Sequence, residues 1–327
     1  MITLADIKLL AQADEVLPLL YDWAFKEDAF WNQPAIRTIA GNGEKYNVKT
    51  SRATISWQDP TEDIAESSPT FEQRSAAIYV AIMDVYLFAY AKATNKIQDA
   101  DAVVMKSQWE DFLSGMKKMM ILGQTSTSTS TKQPKGVARL LAEVESESTT
   151  DLDSVNNTQV VANHATSGAL TLDNLRKLID RVIDPNFLMM SKRSRRKVEA
   201  LAYASGSGPL RVTEDEFGNR IEHFGKLPIY LNDWVPDNIQ DGASSVIDIA
   251  AYVQATTEGA GYDNSIIFCG RVKDEGGFCI TQVEPWSAKL VGTAEKKDAD
   301  IMRIKAYMGF GLFDKYKLAG LINISDE

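Results

Sequence analysis

The chain reads as an α+β protein. Three observations point there: a long amphipathic helix over 101–122, several short apolar runs of strand character, and an element order with no strict βαβ rhythm. No internal repeat is visible.

Residues 3 to about 30 suggest a helix and then a looser arm, whose aromatic cluster Trp23, Phe25, Phe30 and Trp31 precedes a break at Pro34. Aromatic side chains so near a terminus want a partner surface. Next, AGNGEKYNV (40–48) reads as the tip of a β-hairpin with Asn42-Gly43 as its turn, PAIRTI (34–39) leading in and KTSRATISW (49–57) leading out. Ile55 and Trp57 alternate on the returning strand, and DPTEDIAESSPT (59–70) closes the base. Both arms carry polar residues on each face, and an isolated two-stranded ribbon buries too little apolar surface to offset its chain entropy. Such a ribbon needs a partner.

Residues 71–93 are rich in β-branched and aromatic side chains and contain no Gly or Pro; they read as strand in at least part, with a helix as the alternative. The following helix is clearer. Asp101 suits its N-cap, Met105, Trp109, Phe112, Met116 and Met119 recur at spacings of three and four, and Gly123 ends it. QTSTSTSTKQPKG (124–136) is low-complexity and reads as a loop. A second helix, TLDNLRKLIDRV (171–182), has Thr171 and Asp173 at its start and a stripe of Leu172, Leu175, Leu178, Ile179 and Val182. From 185 onward short elements alternate, and the last segment, 301–324, reads as two strands turning near Phe313-Asp314. Cys269 and Cys279 lie on SIIFCG and FCITQV, which look like a hairpin of their own. In a reducing compartment they read as buried thiols, with a disulfide as the alternative.

At 327 residues the chain has ample material for a core, as one large or two ordinary domains. No apolar run is long enough to span a bilayer. The N-terminus lacks the features of a secretory signal, so a cytoplasmic chain with no membrane partner is the default. A net charge of −10 argues against a main task of gripping phosphate backbones, which demands clustered Lys and Arg. The one concentrated basic run, Lys192, Arg193, Arg195, Arg196 and Lys197, is a candidate nucleic-acid patch, though such a face in an acidic protein is more often solvated or paired with carboxylates.

Signatures of catalysis are scarce. His164 and His223 stand in no metal-ligand spacing, ASGSGPL (204–210) lacks a phosphate-loop pattern, and LDS (152–154) lacks a calcium loop. The expectation is a non-enzyme with no catalytic residue, cofactor or metal.

The order of pieces resembles the major capsid proteins of tailed bacteriophages (Caudovirales-type), which have the Hong Kong ninety-seven type capsid fold. The resemblance rests on the succession of elements over nearly the whole chain, carried by 70–123, QPKGVARLL (133–141), TLDNLRKLIDRV, NFLMMSKRSRRKVEAL (186–201), GKLPIYLNDWVP (225–236), SIIFCGR and the terminal strand pair. It implies an N-terminal arm (1–34), an extended E-loop hairpin (35–66) and a first part of the peripheral P-domain (67–150) with the spine helix at 101–122. An axial A-domain (151–299) and C-terminal P-domain strands (300–327) follow. Implied contact residues between subunits are Asn42, Gly43, Glu44, Lys45, Tyr46, Lys49 and Arg52 in the E-loop and Trp23, Phe25, Phe30 and Trp31 in the arm, with Met105, Trp109, Phe112 and Met116 packing the spine helix. One family member crosslinks an E-loop lysine; Lys45 and Lys49 lie in that loop, but no crosslink is expected.

The function so implied is self-assembly through pentamers and hexamers into an icosahedral shell, with the ribbon lying over a neighbour's P-domain. The shell holds packaged double-stranded DNA by weak, non-specific contact, and assembles in the host cytoplasm into a virion. A separate scaffolding protein or a trimmed chain, a portal and decoration proteins are the other partners implied. The alternatives are an encapsulin-type nanocompartment shell and, less favoured, a nucleic-acid-binding protein using 192–197.

Overall fold

The computed structural model describes residues 36–325, except 50, 52, 58, 60–62, 64–65, 95–99, 125–131, 148–150, 166, 205–209, 215–219, 238, 241–245, 249–261, 274–275 and 285. The expected arm with Trp23, Phe25, Phe30 and Trp31, and Arg52, lie outside the described residues. The first half contains β1 (Ile36–Thr38), β2 (Gly43–Lys49), β3 (Phe71–Ala77), β4 (Tyr79–Phe88), α1 (Ala89–Thr94), α2 (Ala100–Leu122), α3 (Val137–Ala142) and β5 (Asp151–Asp153). The middle adds β6 (Val160–Ala162), β7 (Gly168–Ala169), α4 (Leu172–Arg181), β8 (Phe187–Met190), α5 (Lys192–Ala204), β9 (Leu210–Glu214), β10 (Arg220–Phe224), β11 (Leu227–Leu231), β12 (Ile239–Gln240) and β13 (Val246–Asp248). The last part adds β14 (Tyr262–Gly270), β15 (Phe278–Gln282), β16 (Ser287–Thr293), β17 (Ala299–Leu312) and β18 (Leu318–Ser325), with a 3-10 turn at Lys315–Lys317 before β18.

The long helix forms where its apolar period predicts. Trp109, Phe112, Leu113, Met116 and Met120 are buried along one stripe of α2, while Met105 is half-buried. Trp109 stacks on Phe112 at 5.6 Å and meets Trp286 edge-on at 5.9 Å, an arrangement aromatic quadrupoles favour. Gly123 ends the helix because the chain doubles back against it: Gly136 N donates to Gly123 O at 2.8 Å, and a Cβ on Gly123 would stand 2.1 Å from Pro134 O. At α4, Thr171 is the N-cap, its side chain accepting from Asn174 N at 3.3 Å, and Leu175 and Leu178 are fully buried.

Two sheets organise the body. A five-stranded sheet runs β1-β15-β17-β16, with β4 also pairing β17 over ten residues, and α2 covers its inner face. A mixed nine-stranded sheet runs β6-β18-β14-β8-β11-β10-β9, with β12 and β7 attached. Its central strands are buried on both faces. Phe187 and Met189 of β8, with Ile266 and Phe268 of β14, face the principal core shared with α2; Leu188, Met190, Ile267 and Cys269 face a second core under α4 and α5. Strands sandwiched in this way read as continuous apolar runs. In β18, Leu318 and Ile322 belong to the first core and Ala319 and Leu321 to the second, but Ile324 also belongs to the second. The parity flips at Asn323, which has φ +62° in a bulge opposite Ser265–Ile267.

Four sequence expectations change. The hairpin is not turned at Asn42-Gly43: β1 pairs in parallel with β15, whereas β2 pairs antiparallel with β3 from Gly43↔Ala77 to Lys49↔Phe71, so the distal loop is 50–70. A Cβ on Gly43 would lie 2.9 Å from Ala76 O, so the glycine serves close strand approach. Cys269 and Cys279 do not share a hairpin, because β14 and β15 belong to different sheets; both are buried free thiols, and burial pushes the Cys269 thiol well above its usual range. The two terminal strands exist but do not pair: β17 lies in the five-stranded sheet and β18 in the nine-stranded one. Finally, β15 and β16 join β17, so residues 278–293 side with the sheet of the long helix instead of with the 151–270 strands. Residues 71–88 resolve as strand, followed by the short α1.

Candidate functional site

Among the described residues, no group of three His, Cys, Asp or Glu is placed to hold a metal and no helix is long and apolar enough to cross a membrane. The candidate sites are surfaces.

The first is the β2–β3 ribbon. Its base is tied to its own chain: Val48 and Ala76 are buried, Tyr46 packs on Phe313 at 4.5 Å, and the Arg37 guanidinium sits 5.3 Å over the same ring while pairing with Glu44 at 2.6 Å. Arg74 donates to Val144 O at 3.1 Å and pairs with Glu72. Below it, nearly buried Lys315 reaches Glu145 at 3.1 Å. Burial pushes the Glu145 carboxyl up, but bonds donated by Thr158 and Lys315 hold it below the ordinary value. Burial likewise pushes the Tyr46 phenol up to about 12.

Toward the tip this support ends. Ser51 and Thr70 hydroxyls bond across the ribbon at 2.7 Å and Thr54 N donates to Ser67 Oγ at 2.7 Å, yet Ile55 is 81% and Trp57 94% exposed. Of the residues expected in contacts between copies, Asn42, Gly43, Lys45 and Lys49 are exposed, whereas Glu44 and Tyr46 are engaged by Arg37 and Phe313. The anchoring contacts of Arg37 and Tyr46 with Phe313, and of Arg74 with Val144 O, were not legible in the sequence, since the partners lie far apart along the chain.

A second surface is the outer face of β4. Val80, Ile82, Tyr86 and Phe88 alternate outward, each at least 38% exposed, and face Tyr307, Lys305, Ile301 and Ala299 on β17. Asp84 interrupts the row in a two-bond pair with Arg303, whose hydrogen bonds hold its carboxyl below the usual range. The row is a candidate interaction surface.

The basic run opens α5, and carboxylates meet two of its five cations, while a third bonds a backbone carbonyl. Lys192 pairs with Asp233 at 2.8 Å, Arg193 donates to Asp237 O at 2.8 Å, and Arg195 is gripped by Glu222, which holds its guanidinium above the ordinary value. Arg196 is exposed, and Lys197 is half-buried with interactions of its own. With Lys192 and Arg195 paired to carboxylates, the run is a weaker phosphate track than its sequence suggests. Beside it, between α2 and the β10–β11 hairpin, opens a cleft of about 670 Å³.

No protein-family model and no curated protein matches the sequence. Solved structures do match in three dimensions. The holo-SrpI encapsulin complex from Synechococcus elongatus PCC 7942 aligns at TM-score 0.59 and 14% identity over 89% of this chain and 85% of that one. The capsid of a native GTA particle aligns at 0.58 and 11% over 93% and 91%, and a chain of Mycobacterium phage Bobi at 0.54 and 12% over 88% of both.

Proposed function

From the premise that this chain has the Hong Kong ninety-seven type capsid fold, we propose that it is the major capsid protein of a tailed phage. Copies join through pentamers and hexamers into an icosahedral shell around double-stranded DNA. The observation that carries the reading is the ribbon: a two-stranded extension, anchored to its own chain at its base, whose tip exposes Trp57 and Ile55. A monomer gains nothing from such an element, whereas a shell uses it to reach an adjacent copy. The outer row of β4 is then a second surface that neighbours cover.

In this reading residues 1–34 form the arm, the E-loop centres on the 50–70 loop, α2 is the spine of the P-domain, and the α4–β14 region forms the axial A-domain. Arm residues Trp23, Phe25, Phe30 and Trp31 join neighbours, as does Arg52. A net charge of −10 suits a wall that must release DNA, which it touches weakly and without sequence preference. A separate scaffold, a portal and decoration proteins complete the particle, assembled in the host cytoplasm; the protein has no catalytic task.

The likeness to an encapsulin supports a second reading, a nanocompartment shell around a protein cargo. Light scattering and negative-stain microscopy of the purified protein, alone and with its candidate scaffold, test both. Uniform closed shells are expected, with double-stranded DNA in particles from infected cells. Shells filled with one cargo protein favour the nanocompartment. A stable monomer under both conditions overturns the shell.

A further inference from the structure

We infer that the joint between the two sheets steers the ribbon, with the Lys315–Glu145 ion pair as the clamp that couples them. The inference concerns the single chain and stands whether or not copies form a shell.

The joint is made of short connections bonded side by side. Residues 271–277 join β14 to β15 and residues 313–317 join β17 to β18, so each carries the chain from one sheet to the other. Arg271 N donates to Lys317 O at 2.9 Å and Phe313 N donates to Gly277 O at 3.2 Å, which ties the two connections together at both ends. Asn186, just before β8, brackets the first of them: its Nδ2 donates to Val272 O at 3.0 Å and its Oδ1 accepts from Val272 N at 2.8 Å. Short bonded segments have little slack, so a rotation of one sheet against the other moves them.

Both strands of the ribbon are seated beside this joint. On β2, Tyr46 packs on Phe313 at 4.5 Å; on β3, Arg74 donates to Val144 O at 3.1 Å. Phe313 belongs to the 313–317 connection and Val144 to the segment that follows α3. One ion pair joins these two seats, because Lys315 lies on the connection with Phe313, Glu145 follows Val144, and Lys315 Nζ reaches Glu145 Oε2 at 3.1 Å. The Lys315 side chain is only 6% exposed, so parting the seats would leave a nearly buried ammonium without its carboxylate, a costly state. The Glu145 segment is fixed in turn, since Glu143 pairs with Arg139 at 2.5 Å and with Lys135 at 2.8 Å. Lys315 thus acts through Phe313 and Val144, as a positioning residue. A small movement at the seats grows further out. From Val48, the last buried residue of β2, to Ile55 the chain spans up to about 23 Å at roughly 3.3 Å per extended residue, so a tilt of about 10° at the root moves Ile55 by ~4 Å.

The test places spin labels on Ile55→Cys at the ribbon tip and Arg196→Cys on α5 in the unassembled full-length protein, whose own thiols are buried, and measures their separation by pulsed dipolar spectroscopy. A second pair, Ser107→Cys on α2 with Arg196→Cys, reports how the body is set. Lys315→Met keeps the apolar stem and removes the ammonium; it should shift or widen the ribbon distance by about 4 Å and leave the body distance unchanged. Asn186→Ala, at the other connection, should shift the ribbon distance as well, and by much less once Lys315→Met is present, because both act on one joint. Lys315→Arg retains the charge and should keep the parent distance. A ribbon distance unchanged in Lys315→Met or in Asn186→Ala, or effects that simply add, overturns the inference. Equal widening of both distances in Lys315→Met also overturns it, since that would be general loosening. A shift in Lys315→Arg as large as in Lys315→Met would assign the effect to packing and count against the clamp. None of these readouts depends on assembly, so failure of the shell reading and failure of the clamp are distinguishable.

Discussion

The β18–β14–β8 centre of the nine-stranded sheet and the β2–β3 ribbon are both strand pairings, yet they are held by different means. Every residue of β18 is buried, with one core above the sheet and another below it. In β2 only Val48 is buried, and beyond the ladder Ile55 and Trp57 face water. Strand pairing therefore accounts for the stability of neither; what the strands pack against does. The body is complete within one chain, and the ribbon is complete only at its root.

The largest effect on the isolated chain should come from the principal core. Trp109→Ala removes a fully buried indole from between Phe112 and Trp286 and should cost about 3–5 kcal/mol, read as a fall in the urea midpoint. The ribbon should loosen no more than the body does. Amide exchange that accelerated only in 43–49 would break the comparison by making the ribbon the weaker dependent of that core.

Tyr46→Ala should act more locally. Loss of the ring packed at a tilt against Phe313 should destabilise the base by roughly 1–2 kcal/mol, seen as faster exchange in β2 and β3 with body strands unchanged. The same residue gives the ribbon a pH dependence. Its phenol titrates near 12 in the folded chain against 10.0 for the free side chain, so folding favours the protonated form. That contribution is fully present below pH 10 and is lost as pH climbs through about 12. Tyr46→Phe keeps the ring and should lack this alkaline step. An identical alkaline loss in the variant would place its cause elsewhere.

The contrast between the two regions is also one between kinds of sequence signal. The α2 stripe and the Thr171 cap were legible because a helix writes its packing into spacings of three and four. The surroundings of the ribbon were not. Asn42-Gly43 is a strong turn signal, yet Gly43 is needed for close approach to Ala76, and β1 takes its partner some 240 residues later at Ile280. The Cys269 and Cys279 strands looked like one hairpin because they are neighbours in sequence, while the chain between them crosses from one sheet to the other. Phe313–Lys317 makes the same crossing between β17 and β18. Local pattern identifies a strand; its partner is chosen by burial on faces that only the folded chain defines. The carboxylates meeting the 192–197 run were hidden for the same reason, since Asp233 and Glu222 come from β10 and the loop after β11.

The smallest effect on the isolated chain should be the largest on assembly. Replacing residues 53–68 with a short Gly-Ser turn leaves Tyr46, Val48, Arg74 and the Gly43↔Ala77 to Lys49↔Phe71 ladder intact. It removes the exposed Ile55 and Trp57, and shortening a flexible loop changes its closure entropy by only about 0.6 kcal/mol per halving. The thermal midpoint should therefore stay close to that of the parent, while shell formation, followed by light scattering, should fail or yield only small oligomers. Deletion of 40–48 would be a poorer probe, because it removes the Tyr46 and Val48 anchors together with Gly43 and so disturbs the root as well as the reach. Normal shells from the shortened ribbon would mean that copies associate through the outer row of β4 or other faces without the ribbon's help. A large fall in the midpoint would instead mean that the tip packs on its own body, and the distinction between a self-sufficient core and a borrowed partner would be lost.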